Sequence, residues 1–166
     1  MLNLLSTLLF LAPLTGAYAL SPRAPVPGAC MKTHLPSEQQ YTLGYQTFCE
    51  TFIGPDEKKT ITEGNPLVAT VTLTAHDDNK PLRWVYKVSV YDNTPLAPRY
   101  EITRDMCLEK FKSAVESDAA GGLGKAYCVV DGEGVTLAQG GVVKEKKGGQ
   151  GGFGSVYWES RGRLDD

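Results

Sequence analysis

Leu67-Val68-Ala69-Thr70-Val71-Thr72-Leu73-Thr74 and, after a polar link, Leu82-Arg83-Trp84-Val85-Tyr86-Lys87-Val88-Ser89-Val90-Tyr91 decide the fold. In the first segment Leu67, Ala69, Val71 and Leu73 fall on one side, and Val68, Thr70, Thr72 and Thr74 on the other. In the second, Leu82, Trp84, Tyr86, Val88 and Val90 alternate with Arg83, Lys87 and Ser89. Successive side chains of a strand point to opposite faces, so this period of two, rich in β-branched and aromatic residues, marks strands with one buried face. The link Ala75-His76-Asp77-Asp78-Asn79-Lys80-Pro81 consists mostly of turn formers. The two strands therefore read as an antiparallel hairpin, with Trp84 and Tyr86 assigned to the core.

Helices flank this hairpin. Ser37 and Gln40 have capping-box spacing, and Tyr41, Tyr45, Phe48, Cys49 and Phe52 then recur at helical period until Gly54-Pro55 stops the run. Asp56 to Asn65 is polar and reads as a loop, as does Asp92 to Pro98. Thr103 is a plausible N-cap for a second helix. Its apolar side is Cys107, Leu108, Phe111, Ala114 and Val115, and Gly121-Gly122 ends it. Ala126 to Val130 reads as a short strand, Val135 to Lys144 as a weaker one broken at Gly140-Gly141, Gly148 to Gly152 as a loop, and Ser155 to Glu159 as a final strand.

This order predicts an α+β fold: a two-layer sandwich of an antiparallel sheet, four to five strands, with two helices. A further strand near Cys30 would complete the ferredoxin-like βαββαβ order. The expected organisation is a single domain over residues 30–160 with a polar tail at 161–166.

The N-terminus sets the compartment. Met1 to Ala19 has the apolar run Leu4 to Ala12, the breakers Pro13 and Gly16, and the small-x-small end Ala17-Tyr18-Ala19 of a secretory signal peptide. Its apolar run is shorter than the ~20 residues that span a bilayer. Residues 20–29 hold Pro22, Pro25 and Pro27 and read as an extended leader, with Arg23 a candidate second processing site. The expectation is a secreted, extracellular, monomeric protein with no membrane span. The formal net charge of -2 gives no reason to expect a nucleic-acid partner.

The chain has four cysteines, Cys30, Cys49, Cys107 and Cys128. An even count in an exported chain predicts two disulfides. Cys30–Cys49 and Cys107–Cys128 are the favoured pairs, because each closes a short loop around one predicted helix. No CxxC spacing is present and histidines number only 2, so no metal site is expected.

Candidate chemistry is sparse. Gly149-Gln150-Gly151-Gly152-Phe153-Gly154-Ser155-Val156 fits the kinase phosphate-loop pattern, but too little chain follows it to supply the rest of a kinase. His34 and His76-Asp77-Asp78 raise a metal or acid–base question, and Glu101, Arg104 and Arg83 with the histidines raise a ribonuclease-like one. Neither comes with a family motif, so no catalytic residue and no cofactor is assigned. The expected binding surface is Tyr91, Tyr157 and Trp158, suited to stacking on sugars, together with Lys144, Lys146 and Lys147, suited to phosphates or anionic polysaccharide.

The leader Ser21-Pro22-Arg23, the strand Trp84-Val85-Tyr86-Lys87-Val88, the helix from Cys107 to Val115, Gly140-Gly141-Val142-Val143 and the aromatic end strand together carry a resemblance. In element order the chain resembles small secreted cysteine-containing proteins of filamentous fungi with the killer-toxin-like α/β sandwich, found among plant-pathogen effectors. The resemblance implies an effector-like or toxin-like virulence role, exerted by binding an extracellular or host protein, and carries no catalytic residues with it. A cell-wall carbohydrate-binding module and a small secreted hydrolase or ribonuclease are the alternatives.

Overall fold

The computed structural model describes residue 30 and residues 34–92, 99–116, 127–130, 133–149 and 152–163. The expected signal peptide and leader lie outside these residues, as do residues 93–98 and the Gly121-Gly122 helix stop. The described residues form two helices, α1 (Glu38–Phe52) and α2 (Arg104–Glu116). They also form eight strands: β1 (Lys58–Ile61), β2 (Leu67–Thr74), β3 (Pro81–Asp92), β4 (Tyr100–Thr103), β5 (Tyr127–Val129), β6 (Thr136–Ala138), β7 (Gly141–Gly149) and β8 (Gly152–Gly162). The fold is α+β, mostly sheet, and every described strand pairing is antiparallel.

The hairpin forms one half of the main sheet, whose strand order is β2-β3-β8-β7, with β2 at an edge and β3 inside. Leu67 pairs with Val88 and Leu73 with Leu82, so the two apolar rows fall on one face, as alternation requires. The turn closes with the Ala75 N–H donating to the Lys80 carbonyl at 2.9 Å, and Asn79 adopts a φ of 56°, which asparagine tolerates better than most residues. β8 adds to β3 with Val88 opposite Trp158 and Tyr86 opposite Ser160.

Both helices pack on the apolar face. Phe111 of α2 meets Phe48, Tyr86 and Trp158 edge-on at centroid distances of 5.5, 5.3 and 5.6 Å. Tyr41 of α1 meets Trp84 edge-on at 6.3 Å. Such pairs add about 0.5–1.5 kcal/mol each beyond the area they bury. Polar atoms lock the same layer: the Tyr86 hydroxyl donates to the Tyr41 carbonyl at 3.0 Å, and the Tyr41 hydroxyl lies 3.0 Å from Ser160 Oγ. Burial pushes the Tyr41 hydroxyl far above the usual tyrosine range, so it stays protonated and able to donate.

The helix starts follow the sequence. Ser37 caps α1, its Oγ accepting from the Gln40 N–H at 3.3 Å. The reciprocal half of the capping box is not made. Gln40 Oε1 instead accepts from the Thr74 N–H at 3.2 Å and ties α1 to the end of β2. Thr103 Oγ1 accepts from the Met106 N–H at 3.3 Å, which confirms it as the cap of α2.

Several expectations need correction. The segment Asp56 to Asn65 is not all loop: β1 lies within it and pairs with β4, burying Ile61 and Ile102 beneath the helices. The final strand runs past Glu159 to Gly162, so the tail does not begin at residue 161. Gly148 to Gly152 is largely hairpin, because β7 and β8 stay paired out to Gly149 and Gly152. The weak strand over Val135 to Lys144 is two strands in two sheets, β6 beside β5 and β7 beside β8. The switch falls at Gly140, whose φ is 87° and where a Cβ would collide with the Ser160 carbonyl oxygen.

The disulfide pairing also differs from expectation. Cys49 bonds Cys107, and Cys30 bonds Cys128, with Cα separations of 5.8 and 4.8 Å. Cys49 shares the buried stripe of α1 with Phe48, which faces α2, so its partner is the cysteine in the first turn of α2 and not one near its own helix start. The Cys30 N–H donates to the Val129 carbonyl at 3.1 Å, which holds Cys30 beside β5 and its Cys128. Loops of 58 and 98 residues replace the short local ones. In the chain-entropy account each bridge stabilises by about 4–5 kcal/mol, against about 3 for local loops. Non-reducing peptide mapping should recover Cys49–Cys107 and Cys30–Cys128 as linked peptides. The Cys49→Ala/Cys107→Ala variant should lose about 4 kcal/mol in a denaturant titration.

One ion pair joins α2 to β7. The Lys110 ammonium contacts Glu145 Oε1, and this carboxylate holds the lysine above its ordinary pKa. A raised folded pKa gives stability that is complete below the ordinary lysine value and lost as pH rises through the folded one. Lys110→Met should therefore unfold about 1 kcal/mol more easily at neutral pH, with the difference from the parent disappearing in the strongly alkaline range. Urea midpoints of both proteins across pH 7 to about 12 check this.

Candidate binding face of the sheet

The four-stranded sheet has a second face, opposite the helices. Alternation assigns to it Val68, Thr70 and Thr72 of β2, Arg83, Val85, Lys87, Ser89 and Tyr91 of β3, Tyr157, Glu159 and Arg161 of β8, and Val142 and Lys144 of β7. Both described helices lie on the other side, with the fully buried Trp84, Tyr86 and Trp158.

Three of the expected surface residues meet here. The Tyr91 and Tyr157 rings stand edge to face, with centroids 5.1 Å apart. The Lys144 ammonium lies 5.2 Å from the centroid of Tyr157, and the Lys87 ammonium 6.0 Å from that of Tyr91. Each lysine is thus held over a ring face by cation–π attraction, worth about 0.5–1 kcal/mol at an exposed site. Tyr91 is half exposed and Tyr157 partly so. Glu159 lies between cations, 2.9 Å from Arg161 Nε and 3.8 Å from Lys87 Nζ.

Trp158 does not belong to this surface. It is 0% exposed, faces Phe111 and stands opposite Val88 and Val143 in the register. The reason is geometric: Tyr157 and Trp158 are neighbours in one strand and must point to opposite faces. Lys146 and Lys147 continue β7 opposite Ser155 and Gly154, and their side chains lie outside the described residues. Lys87, Glu159 and Arg161 belong to the cluster although the sequence reading did not single them out. The signal was present for Lys87, which shares Tyr91's parity in the decisive strand.

Of the other candidate groups, only His34, Asp77 and Asp78 come together among the described residues. His34 Nδ1 lies 3.1 Å from Asp77 Oδ1 and 3.5 Å from Asp78 Oδ1, and these groups offer ligand atoms within 4.8 Å of one another. All three are exposed, and the second oxygen of Asp78 is already 2.9 Å from the Lys80 ammonium. That hydrogen bond holds the Asp78 carboxyl below its usual range and the Lys80 ammonium above its own. The arrangement is an ion-pair network pinning the β2–β3 turn. His76 turns the other way, to Glu133 at 3.0 Å. Glu101 pairs with Lys58 on β1, and Arg104 Nε donates to the Ile53 carbonyl at 3.0 Å. The groups considered for ribonuclease-like chemistry thus sit on different elements with separate structural partners. Of the kinase-like segment, Gly149 ends β7 and Gly152 to Val156 open β8, a strand and not a helix.

Between the helices lies an open groove of about 430 Å³, lined by Glu38, Thr42, Tyr45 and Gln46 of α1 and by Leu108 and Lys112 of α2. It mixes both charges with little apolar depth, so the sheet face is the better-defined candidate.

Compared with known proteins, the chain matches no family model, no curated protein and no solved structure.

Two aromatic residues, Trp158 in β8 and Tyr91 in β3, separate core from surface experimentally. Trp158→Ala should cost about 3–5 kcal/mol of unfolding free energy, because it empties the space against Phe111. Tyr91→Ala removes one edge-to-face partner from a half-exposed site and should cost no more than about 1.5 kcal/mol. Parallel urea titrations of the two variants measure the contrast.

Proposed function

We propose that this chain is a secreted, effector-like protein that acts by binding an extracellular or host target through the open face of its main sheet. The observation that carries this reading is the cluster of Tyr91, Tyr157, Lys87 and Lys144 on the sheet face away from the helices. Partly exposed aromatic rings in contact with cations combine large contact area with directional polar groups, the composition found at binding hot spots. Two disulfides suit an oxidising compartment, and no described helix is long and apolar enough to cross a membrane. The killer-toxin-like sandwich remains part of this proposal, and what stands beneath it is an α+β fold of two described helices and an antiparallel sheet. Its order departs from a simple βαββαβ pattern through the separate β1–β4 and β5–β6 pairs.

The alternative of a carbohydrate-binding module draws on the same face and now rests on Tyr91 and Tyr157 without Trp158. The test uses the secreted protein applied to isolated cell-wall material and to intact plant or fungal cells. Retention should be saturable and should fall at least about tenfold for Tyr91→Ala/Tyr157→Ala, measured at a temperature where circular dichroism shows the variant fully folded. Retention that the double variant leaves intact would remove the sheet face from the function. Mass spectrometry of the same secreted material should find Leu20 at the N-terminus, and an intact Met1 would overturn the assignment of the leader.

A further inference from the structure

Charge is segregated in this molecule. The whole chain has a formal net charge of -2. On the open sheet face the described side chains are the cations Arg83, Lys87, Lys144 and Arg161 against the single carboxylate of Glu159. A locally positive face on a net-negative protein is an arrangement that steers anions to one place.

The cations are not equivalent. Glu159 is satisfied by Arg161 at 2.9 Å and lies 3.8 Å from Lys87, too far for a hydrogen bond. Lys144 has no carboxylate partner among the described residues, and its ammonium rests on the ring of Tyr157. An ammonium held on an aromatic face keeps its three donors available to an incoming anion. Ser89 lies opposite Tyr157, 4% exposed, with its Oγ lacking a hydrogen-bond partner among the described residues. A buried hydroxyl without a partner is costly in the free protein, and a ligand oxygen reaching it would relieve that cost.

Spacing selects the ligand. Lys87 on β3 and Lys144 on β7 are separated by β8 and offset along the strands, Lys87 lying opposite Glu159 and Lys144 opposite Tyr157, which sets them about 12 Å apart at the backbone. With each ammonium resting on its own tyrosine ring, the two cations suit separate acidic groups of one polymer with repeated anionic groups. The two tyrosine rings stand at 89°, so they do not form the parallel shelf on which successive nucleobases stack. The half-exposed Tyr91 ring suits the apolar face of a sugar ring, and the exposed Thr70 and Thr72 hydroxyls, further along the same sheet face beside Val85 and Arg83, suit hydroxyls of an extended chain.

We propose that the open face of the β2–β3–β8–β7 sheet is a binding site for an anionic polysaccharide, with acidic groups seated at Lys144 and Lys87 and sugar rings against Tyr91. This deepens the functional reading above and rests on it.

The test is titration of the full secreted protein, by calorimetry, with polygalacturonate, heparin, neutral laminarin, chitin oligomers and poly-glutamate. Polygalacturonate or heparin should bind, and which of them binds better tells whether carboxylates or sulfates are the natural groups. Affinity should fall about tenfold between 50 and 200 mM salt, as expected for partly exposed charges. Lys144→Ala/Lys87→Ala should weaken binding about tenfold or more at unchanged thermal midpoint, and Lys144→Arg should retain it. Lys58→Ala removes an exposed cation from the β1–β4 pair and should change nothing. Three results would overturn the proposal: no binding to either polyanion, equal loss in Lys58→Ala, or equal affinity for poly-glutamate. Salt-insensitive binding to laminarin or chitin that Tyr91→Ala abolishes would overturn the anionic ligand and leave the binding face standing. Wall retention indifferent to both tyrosines, by contrast, defeats the functional reading itself.

Discussion

Phe111 is the side chain on which the arrangement turns. It is fully buried in α2 and presents its ring edge-on to Phe48 of α1, Tyr86 of β3 and Trp158 of β8. A single side chain thus touches both helices and the two central strands of the sheet. Interiors of this density transmit any change in volume to their neighbours, so the position of α2 determines where α1 sits and how β8 lies beside β3. The Cys49–Cys107 bridge is one turn away from this contact and fixes the same distance covalently. On the other side of the sheet, the Tyr91–Tyr157 pair depends on the same β3–β8 register, since Tyr157 is the strand neighbour of Trp158. The candidate face is therefore positioned by packing that it does not itself contain.

Much of this was legible in the sequence because period-two and helical-period patterns are local properties. The β2–β3 hairpin, the helix starts at Ser37 and Thr103, and the core roles of Trp84 and Tyr86 follow from spacing alone. Partner choice is not local, and there the reading failed. Lys58–Ile61 is too short and too polar to announce itself, and it is a strand because β4 lies beside it. The cysteine pairs were assigned to the nearest neighbours in the chain, whereas packing of α1 against α2 determines which sulfurs meet.

The candidate site was legible in part, and one of its errors was avoidable. Tyr157 and Trp158 were both assigned to the surface, although consecutive strand residues cannot share a face. Opposite parity alone leaves open which of the two is buried. The register decides it, by setting Trp158 beside Val88 and Tyr157 beside Ser89. The contribution of Lys87, Glu159 and Arg161 needed that same register, because it is the pairing of β3 with β8 that gathers these charges around the tyrosines.

The two disulfides are nested, Cys49–Cys107 inside Cys30–Cys128. A chain synthesised from its N-terminus offers Cys30 and Cys49 to each other before Cys107 exists. In an oxidising environment the first bond available to it is thus a non-native one. The native pairs require thiol–disulfide exchange or a delay in oxidation until α2 has packed. The yield of correctly paired protein therefore depends on the order in which oxidation and helix packing occur, as well as on the stability of the finished fold.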